Sequence, residues 1–183
     1  MPRIDPAPTD TRTAHPEHIV ATGDALRNAL RAVPSPIVVV TLWTDAGPRG
    51  ATIGSFASVS LDPPLVSFNV THDTRLHDAL AETDALAIHF LAADQADIAT
   101  RFAIPDLSGH DQLEPFDHQL VDGTPPLIDG VLSTLVCTTA TTIEAGDHSV
   151  IIASVEAIRP GRETAPLLYY EQSYRGIGAP VDG

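Results

Sequence analysis

A series of short β-patterned runs, with few helical segments between them, most constrains how this chain can fold. The clearest is PIVVVTLWT at 36–44, whose β-branched and apolar residues are typical of a buried strand. We predict six or seven strands and three short helices, with strands near 36–44, 49–56, 65–70, 85–91, 130–144, 149–159 and 166–170 and helices near 25–31, 74–82 and 93–102. Adjacent strands favour a mainly β fold, an antiparallel barrel with helices outside it, because a doubly wound sheet needs a helix after nearly every strand.

The length of 183 residues fits one domain with irregular ends. We expect a flexible, proline-rich arm at 1–20, the barrel domain at 21–176 and a tail at 177–183. Residues 1–20 lack the apolar core of a signal peptide, and no apolar run approaches the ~20 residues of a membrane span. These features predict a soluble, cytoplasmic protein that makes no use of a membrane.

The charge balance limits the partners. The formal net charge is −14, and all ten basic residues are arginines. Such a chain repels polyphosphate, so we expect no nucleic-acid partner, and any bound anion must be held by a few arginines or by backbone N–H groups. The single cysteine, Cys137, excludes an internal disulfide and permits a reducing compartment.

The segment GATIGSFASVS at 50–60 is the richest in binding chemistry. It combines two glycines with four hydroxyl side chains, those of Thr52, Ser55, Ser58 and Ser60. Little bulk and many donors suit a planar heteroaromatic ring that carries carbonyls and ring nitrogens. By composition alone, however, a solvent-facing strand rich in serine and threonine is the commoner explanation.

Two further segments carry candidate polar groups. A helix starting near Thr74 would offer free N–H groups, a hydroxyl and the Arg75 guanidinium to a phosphate, although every helix has such a start. The turn 146–149, GDHS, would place His148 at the barrel rim, either beside a polar second substrate or simply in solvent. Aromatic residues at 169–174 fit barrel core or a ring-stacking role at a dimer seam, and core is the simpler assignment for Tyr169.

Other enzyme classes find little support. There is no G-x-S-x-G or H-E-x-x-H motif, which argues against a hydrolase. Imidazoles bind transition metals, but the irregular spacing of four histidines predicts solvated surface residues and no metal site: His72, His77, His110 and His118.

Taken in order, blocks from about residue 26 to residue 175 resemble the flavin reductase-like family of FMN-binding split barrels, the reductase components of two-component flavin monooxygenases. The blocks are PSPIVVVTLWT, GATIGSFASVSLDPPLVSFNV, DTRLHDAL, ALAIHFLAADQADIATRFA, GTPPLIDGVLSTLVC, GDHSVIIASV and APLLYYEQSYR. The resemblance implies a homodimeric split barrel with flavin held noncovalently near the subunit seam. Residue by residue, it implies ring contacts from Thr52, Gly54 and Ser55, and further flavin contacts from Ala57, Ser58, Val59 and Ser60. It implies a phosphate-binding segment of Asp73, Thr74 and Arg75. It also implies a nicotinamide contact from His148, and contacts with the cofactor or the dimer seam from Tyr174 and Arg175.

The implied activity is NAD(P)H:flavin oxidoreductase, in which hydride passes from NADH or NADPH to FMN, or to FAD, and the reduced flavin goes to a partner monooxygenase. A flavin- or tetrapyrrole-binding split barrel without nicotinamide turnover is the alternative. One departure stands out: many members carry Asn where this chain has Gly54, so the ring loses an amide contact.

Overall fold

The computed structural model describes residues 19–179, which form four helices and twelve strands. The helices are α1 (Gly23–Leu30), α2 (Arg75–Leu80), α3 (Ala96–Phe102) and α4 (Gly109–Leu113). The strands are β1 (Ser35–Pro36), β2 (Val38–Thr44), β3 (Gly47–Ile53), β4 (Ala57–Leu61), β5 (Pro64–Thr71), β6 (Ala85–Phe90), β7 (His118–Gln119), β8 (Leu127–Ile128), β9 (Ser133–Ala145), β10 (His148–Pro160), β11 (Leu168–Tyr170) and β12 (Ser173–Arg175).

Seven strands form the main sheet, in the order β3-β2-β6-β9-β10-β5-β4, and all its pairings are antiparallel. The remaining short strands form two small sheets, β1-β11-β12 and β7-β8. The expectation of a mainly β, antiparallel fold with peripheral helices is therefore confirmed.

The main sheet curls until β3 comes into contact with β5. At that junction Ser55, just after β3, ties the two strands together: the Asn69 amide donates to its Oγ at 2.8 Å. Helix α2 packs on both β3 and β5. The result is an open barrel with its gap along these strands, where the candidate site lies.

Strand β2 buries both of its faces because its residues alternate between two apolar cores. Val38, Val40 and Leu42 belong to the core inside the curled sheet, whereas Val39 packs with Phe102 and the other side chains under α3 and α4. Burying each such side chain contributes about 1.5–3 kcal/mol. This two-sided burial explains why the 36–44 run is continuously apolar.

A buried polar group lies within the outer core. His89 on β6 is completely buried, with Nδ1 3.1 Å from the Thr134 hydroxyl and Nε2 3.0 Å from the Thr41 hydroxyl and 3.2 Å from the Pro126 carbonyl. Burial lowers the pKa of His89 from 6.5 to about 3, so the imidazole is neutral near neutral pH.

Local signals located the helix starts well. The Thr22 hydroxyl accepts from the Ala25 amide and caps α1, and the Thr74 hydroxyl accepts from the His77 amide and caps α2, which begins where the sequence predicted. Between residues 104 and 126 the structure contains two elements that the prediction lacks, because Ser108 caps α4 and β7 follows. Within 19–179, no helix has the length and apolarity needed to cross a bilayer. The predicted arm falls almost wholly outside the described residues, as do the last four residues of the predicted tail.

Candidate functional site

The end of β3, the end of β5 and the start of α2 surround one cavity of about 350 Å³. Its walls include the Gly54–Ser55 segment of the predicted ring-binding motif. The lining residues are Ala51, Thr52, Ile53, Gly54, Ser55, Asn69, Val70, Thr71, Thr74 and Leu76. Tertiary structure thus joins the first two of the predicted binding segments, which stand some twenty positions apart in the sequence.

A second cavity of about 430 Å³ adjoins the first, because Ala51, Thr52, Thr74 and Leu76 line both. It runs between α2 and the segment after α3, and it carries two arginines, Arg49 and Arg75, in a chain of strong negative charge. The other lining residues are Gly50, Asp73, Phe102, Ala103, Ile104, Pro105, Asp106, Leu107 and Gln112. We call these two neighbouring spaces the groove; it has small and hydroxyl residues at one end and cationic groups at the other.

Arginine charge at this end of the groove is weakly neutralised. Arg75 lies 3.7 Å from Asp106, with both side chains largely exposed, and such pairs contribute at most about 1 kcal/mol. Within 19–179, no carboxylate lies within ion-pair distance of Arg49, which donates to the Pro48 carbonyl. Both guanidinium groups therefore remain able to bind an anion.

Most hydroxyls of the predicted segments already have partners inside the chain. Thr52 donates to the Ala99 carbonyl at 2.7 Å, Ser55 bonds Asn69, and Thr74 donates to the Thr71 carbonyl at 2.8 Å. The Asp62 amide also donates to Ser60. These hydroxyls shape the walls, and their free lone pairs can still accept, but they offer fewer donors to a ligand than the composition suggested.

The rest of the predicted flavin segment lies on β4, an edge strand of the main sheet. Ala57, Ser58 and Val59 are exposed, and the pairing with β5 is irregular between Ser58 and Ser60. An edge strand presents backbone N–H groups that the sheet does not use. In a single chain, β4 continues from the groove as an open surface, and no part of it closes over the cavity.

His148 begins β10, where the register places it opposite Thr71. Its Nδ1 lies 2.7 Å from an Asp147 carboxylate oxygen, and its Nε2 lies 3.2 Å from the Thr71 hydroxyl. The bond from the imidazole holds the pKa of Asp147 below its usual range. A carboxylate on Nδ1 favours the tautomer protonated there, which leaves Nε2 to accept from Thr71. Thr71 lines the smaller cavity and His148 does not. His148 is therefore connected to the groove by its contact with the Thr71 side chain.

The two C-terminal candidates separate within the chain. Tyr174 is half-buried against the outer core, with its ring 5.4 Å from that of Tyr169, and burial raises its pKa. Arg175 lines a different cavity of about 420 Å³ with Pro34 and residues 176–178. The structure therefore brings Arg175 to a separate surface, away from the groove of Thr52 and Thr74.

Two glycines set the shape of the groove. A Cβ at Gly50 would stand 2.6 Å from the Phe102 ring, so only glycine lets that ring pack against β3. At Gly54 a Cβ would find nothing closer than 3.8 Å, which leaves the position open toward a ligand. A flat ring can therefore approach the backbone at Gly54.

Sequence reasoning missed several residues of the groove. Arg49 and residues 103–107 line the larger space, while Asn69 and Thr71 line the smaller one. The alternation of β5 indicated which of its residues are polar, but nothing local showed that these residues face β3. Their roles depend on the curl of the sheet.

The groove offers what a flavin mononucleotide requires, which is room for a planar ring and cationic groups for a phosphate. The two spaces are of the size usual for small-molecule sites, and the open position at Gly54 admits a planar ring. Arg49 and Arg75 are the groups able to bind a phosphate beside it.

Comparison with known proteins gives the family of this chain. The family model of the flavin reductase like domain matches residues 30–178. The FMN reductase (NADH) SmoA of Agrobacterium fabrum is 38% identical over 143 residues, which cover 76% of this chain and 80% of that protein. HsaB of Mycobacterium tuberculosis, the reductase subunit of a flavin-dependent monooxygenase, is 32% identical over 153 residues, covering 82% of this chain and 80% of that protein.

A solved structure extends the likeness to three dimensions. The NADH:FAD oxidoreductase SgcE6 of Streptomyces globisporus, in complex with NAD and FAD fragments, superposes with a TM-score of 0.79 at 32% identity. The superposition covers 91% of this chain and all of that one. Because the family match spans most of the chain and both relatives align across more than two thirds of it, this chain belongs to the flavin reductase like domain family.

Proposed function

We propose that this protein is an NADH-dependent flavin reductase that uses FMN, with FAD as a second substrate, and supplies the reduced flavin to a partner monooxygenase. The observation that carries the proposal is the groove itself: an open backbone at Gly54 at one end, two arginines at the other, and the Asp147–His148 pair linked to it through Thr71. When bound, the flavin supplies a two-electron acceptor for hydride from the nicotinamide.

The chain's own part in this reaction is to bind and align. Gly54 and Ser55 border the space for the ring, and the β4 backbone continues that edge past the groove. Arg75, with Arg49, neutralises the phosphate, which their position at the far end of the groove supports. A large share of the rate comes from holding both reactants in one geometry, so the site needs no general base.

His148 positions the nicotinamide. Asp147 holds the imidazole through Nδ1, and Thr71 contacts Nε2 at the groove, so the ring has a fixed orientation at the edge of the site. Both ring nitrogens have partners within the chain, so the fixed imidazole contacts the nicotinamide through its ring face or its C–H edge, and the Thr71 hydroxyl oxygen can accept from the carboxamide. His148 is thus proposed as a residue that touches the hydride donor and does not hold the flavin.

The proposed assembly is a homodimer. We propose that the domain spans residues 21–176. Several of its apolar side chains are exposed on α1 and β4: Leu26, Leu30, Val59 and Leu61, the last at 88%. α1 buries none of its residues within the chain although its apolar side chains share one face. In this dimer, Tyr174 or Arg175 of one subunit is proposed to lie near the other's flavin. The cytoplasm, where NADH is available, is the proposed location.

The test is anaerobic titration with FMN and FAD, followed by rapid mixing with NADH or NADPH while the flavin absorbance is recorded. We expect saturable FMN binding and fast bleaching by NADH. In His148→Ala, reduction should slow by about 100-fold or more, as expected when an aligning contact is lost, while the FMN dissociation constant changes little. Thr71→Val should show a smaller loss of the same kind.

His110→Ala is the matched control, because that exposed histidine lies on α4 and lines neither cavity. Flavin that binds but is not bleached by either nicotinamide would indicate a flavin-binding protein without turnover. A reduction rate unchanged in His148→Ala would remove His148 from the site while leaving the reductase activity in place.

A further inference from the structure

Outside the groove, three metal-ligating side chains lie together at the end of the sheet that bears the β9–β10 turn. They are His72, just after β5, His77 on α2 and Glu144 on β9, and their ligand atoms all lie within 4.8 Å of one another. Residues 72 and 144 are distant in sequence, and the pairing of β5 and β9 with β10 brings them together. The other two histidines considered at the sequence level, His110 and His118, are not part of this group.

Hydrogen bonds and close contacts connect the three side chains. His72 Nε2 lies 2.9 Å from a Glu144 carboxylate oxygen, yet it is shielded from solvent and makes no well-directed hydrogen bond. His77 Nε2 lies 3.1 Å from the Ser149 hydroxyl, which donates to the other Glu144 oxygen at 3.0 Å. His72 therefore lies beside the Glu144 carboxylate directly and His77 is linked to it through Ser149, while the His72 nitrogen lacks a satisfactory hydrogen-bond partner within the described residues.

We propose that His72, His77 and Glu144 bind a zinc ion, with water in the fourth position. Two imidazoles and one carboxylate are a known ligand set for Zn²⁺. With metal–ligand distances of about 2.0–2.1 Å, the ligand atoms of a tetrahedral site lie about 3.4 Å apart. His72 Nε2 and the Glu144 oxygen are closer than that, at 2.9 Å, and all three ligand atoms lie within 4.8 Å of one another, so side-chain rotations can complete the site.

The proposed ion would act as a clamp. Its ligands come from three segments, and the His72 backbone N–H also donates to the Asp147 carbonyl at 3.2 Å. Zinc at this position ties α2 and the end of β5 to the hairpin that carries Asp147 and His148. The net charge of −14 further favours a cation over an anion at this surface.

The experiment uses the full chain, treated with a chelator and titrated with Zn²⁺ near neutral pH by calorimetry. We expect one zinc ion per chain. Glu144→Gln and His77→Gln should each weaken binding by more than about 10-fold, since loss of even an outer-shell partner has such an effect. His110→Gln, the control, should bind as the unmodified chain does. Hydrogen exchange across residues 140–152 should slow on zinc addition only when the site is intact.

The Glu144 side chain is 71% exposed, so its substitution leaves folding intact. The Glu144→Gln variant therefore tests zinc binding even if His77→Gln folds poorly. Absence of saturable zinc binding would overturn the proposal, because the His77–Ser149–Glu144 hydrogen bonds would then be the whole role of the cluster. Zinc binding that is equally strong in Glu144→Gln and His77→Gln would overturn it as well. None of these readouts depends on flavin reduction.

Discussion

Replacing His89 by glutamine should remove a specific acid sensitivity of the fold. The imidazole is fully buried between β2 and β9, with two threonine hydroxyls and the Pro126 carbonyl around it. A glutamine amide can still donate to that carbonyl, but it does not titrate. The substitution therefore separates the proton chemistry of the site from its hydrogen bonding.

The magnitude follows from the pKa of His89, which burial lowers from 6.5 in the unfolded chain to about 3 in the folded one. Above pH 6.5 His89 is neutral in both the folded and the unfolded chain, so it adds no pH dependence to the free energy of unfolding. Below pH 6.5 only the unfolded chain takes up the proton, so the free energy of unfolding falls as the pH falls, down to the folded pKa. At 1.36 kcal/mol per pKa unit, the loss between about pH 8 and about pH 5 is about 2 kcal/mol.

The assay is urea unfolding of both proteins at these two pH values and at one fixed chain concentration, followed by the fluorescence of Trp43, the only tryptophan. His89→Gln should be less stable than the unmodified chain at the higher pH, by about 1–3 kcal/mol, for its imperfect hydrogen bonds. Its further loss on acidification should be smaller by about 2 kcal/mol. The other titrating groups are common to both proteins, and their contributions cancel in this difference.

An equal loss of stability in the two proteins between these pH values would refute the reasoning. It would mean that His89 accepts a proton in the folded state, so that the site is more hydrated than its burial indicates. Titration of the His89 ring resonances near pH 6 in the folded protein would give the same answer independently.

Three further predictions concern the groove and the packing beneath it. Gly54→Asn should tighten FMN binding by about 3–10-fold, the effect of one added hydrogen bond. The new side chain has room, because the atom nearest to its Cβ is Ile37 Cδ1 at 3.8 Å. Quenching of flavin fluorescence measures the affinity, and an unchanged affinity would contradict the prediction. Arg75→Gln should weaken FMN by about 10-fold or more while riboflavin, which lacks the phosphate, binds as before; equal losses for both would place the phosphate elsewhere. Gly109→Ala should lower the midpoint of thermal unfolding by several degrees, because its Cβ would meet the Pro48 carbonyl oxygen at 1.9 Å, and calorimetry would show it; an unshifted midpoint would mean that α4 does not press on β3 as described.

Helix starts and buried strands could be predicted because they depend on local physics. The Thr22 and Thr74 hydroxyls cap their helices wherever those helices pack, and the β-branched run of β2 prefers an extended backbone. Helix α4 was missed because it is only five residues long and begins with Gly109, a residue that usually signals a loop. That glycine is required by the close approach to Pro48, a contact that local sequence does not reveal.

The candidate site was predictable only in part. The residue types around Gly54 and at the start of α2 are compatible with a ring and a phosphate, but only the family resemblance assigned them to a flavin and joined them to His148. Arg49 and Thr71 were not predicted, because a single arginine at a strand start or a threonine at a strand end has no signature of its own.

By itself, the amino-acid sequence determined the long strands, the first three helices, the negative charge and the residue types available for binding, all of which follow from neighbouring residues and composition. The tertiary structure alone decided which of them meet. Antiparallel pairing sets Thr71 opposite His148 and gathers His72, His77 and Glu144, and a shift of one residue in that register would turn these strand side chains to the other face. Contacts of this kind depend on how the whole sheet curls, since no short segment contains both partners.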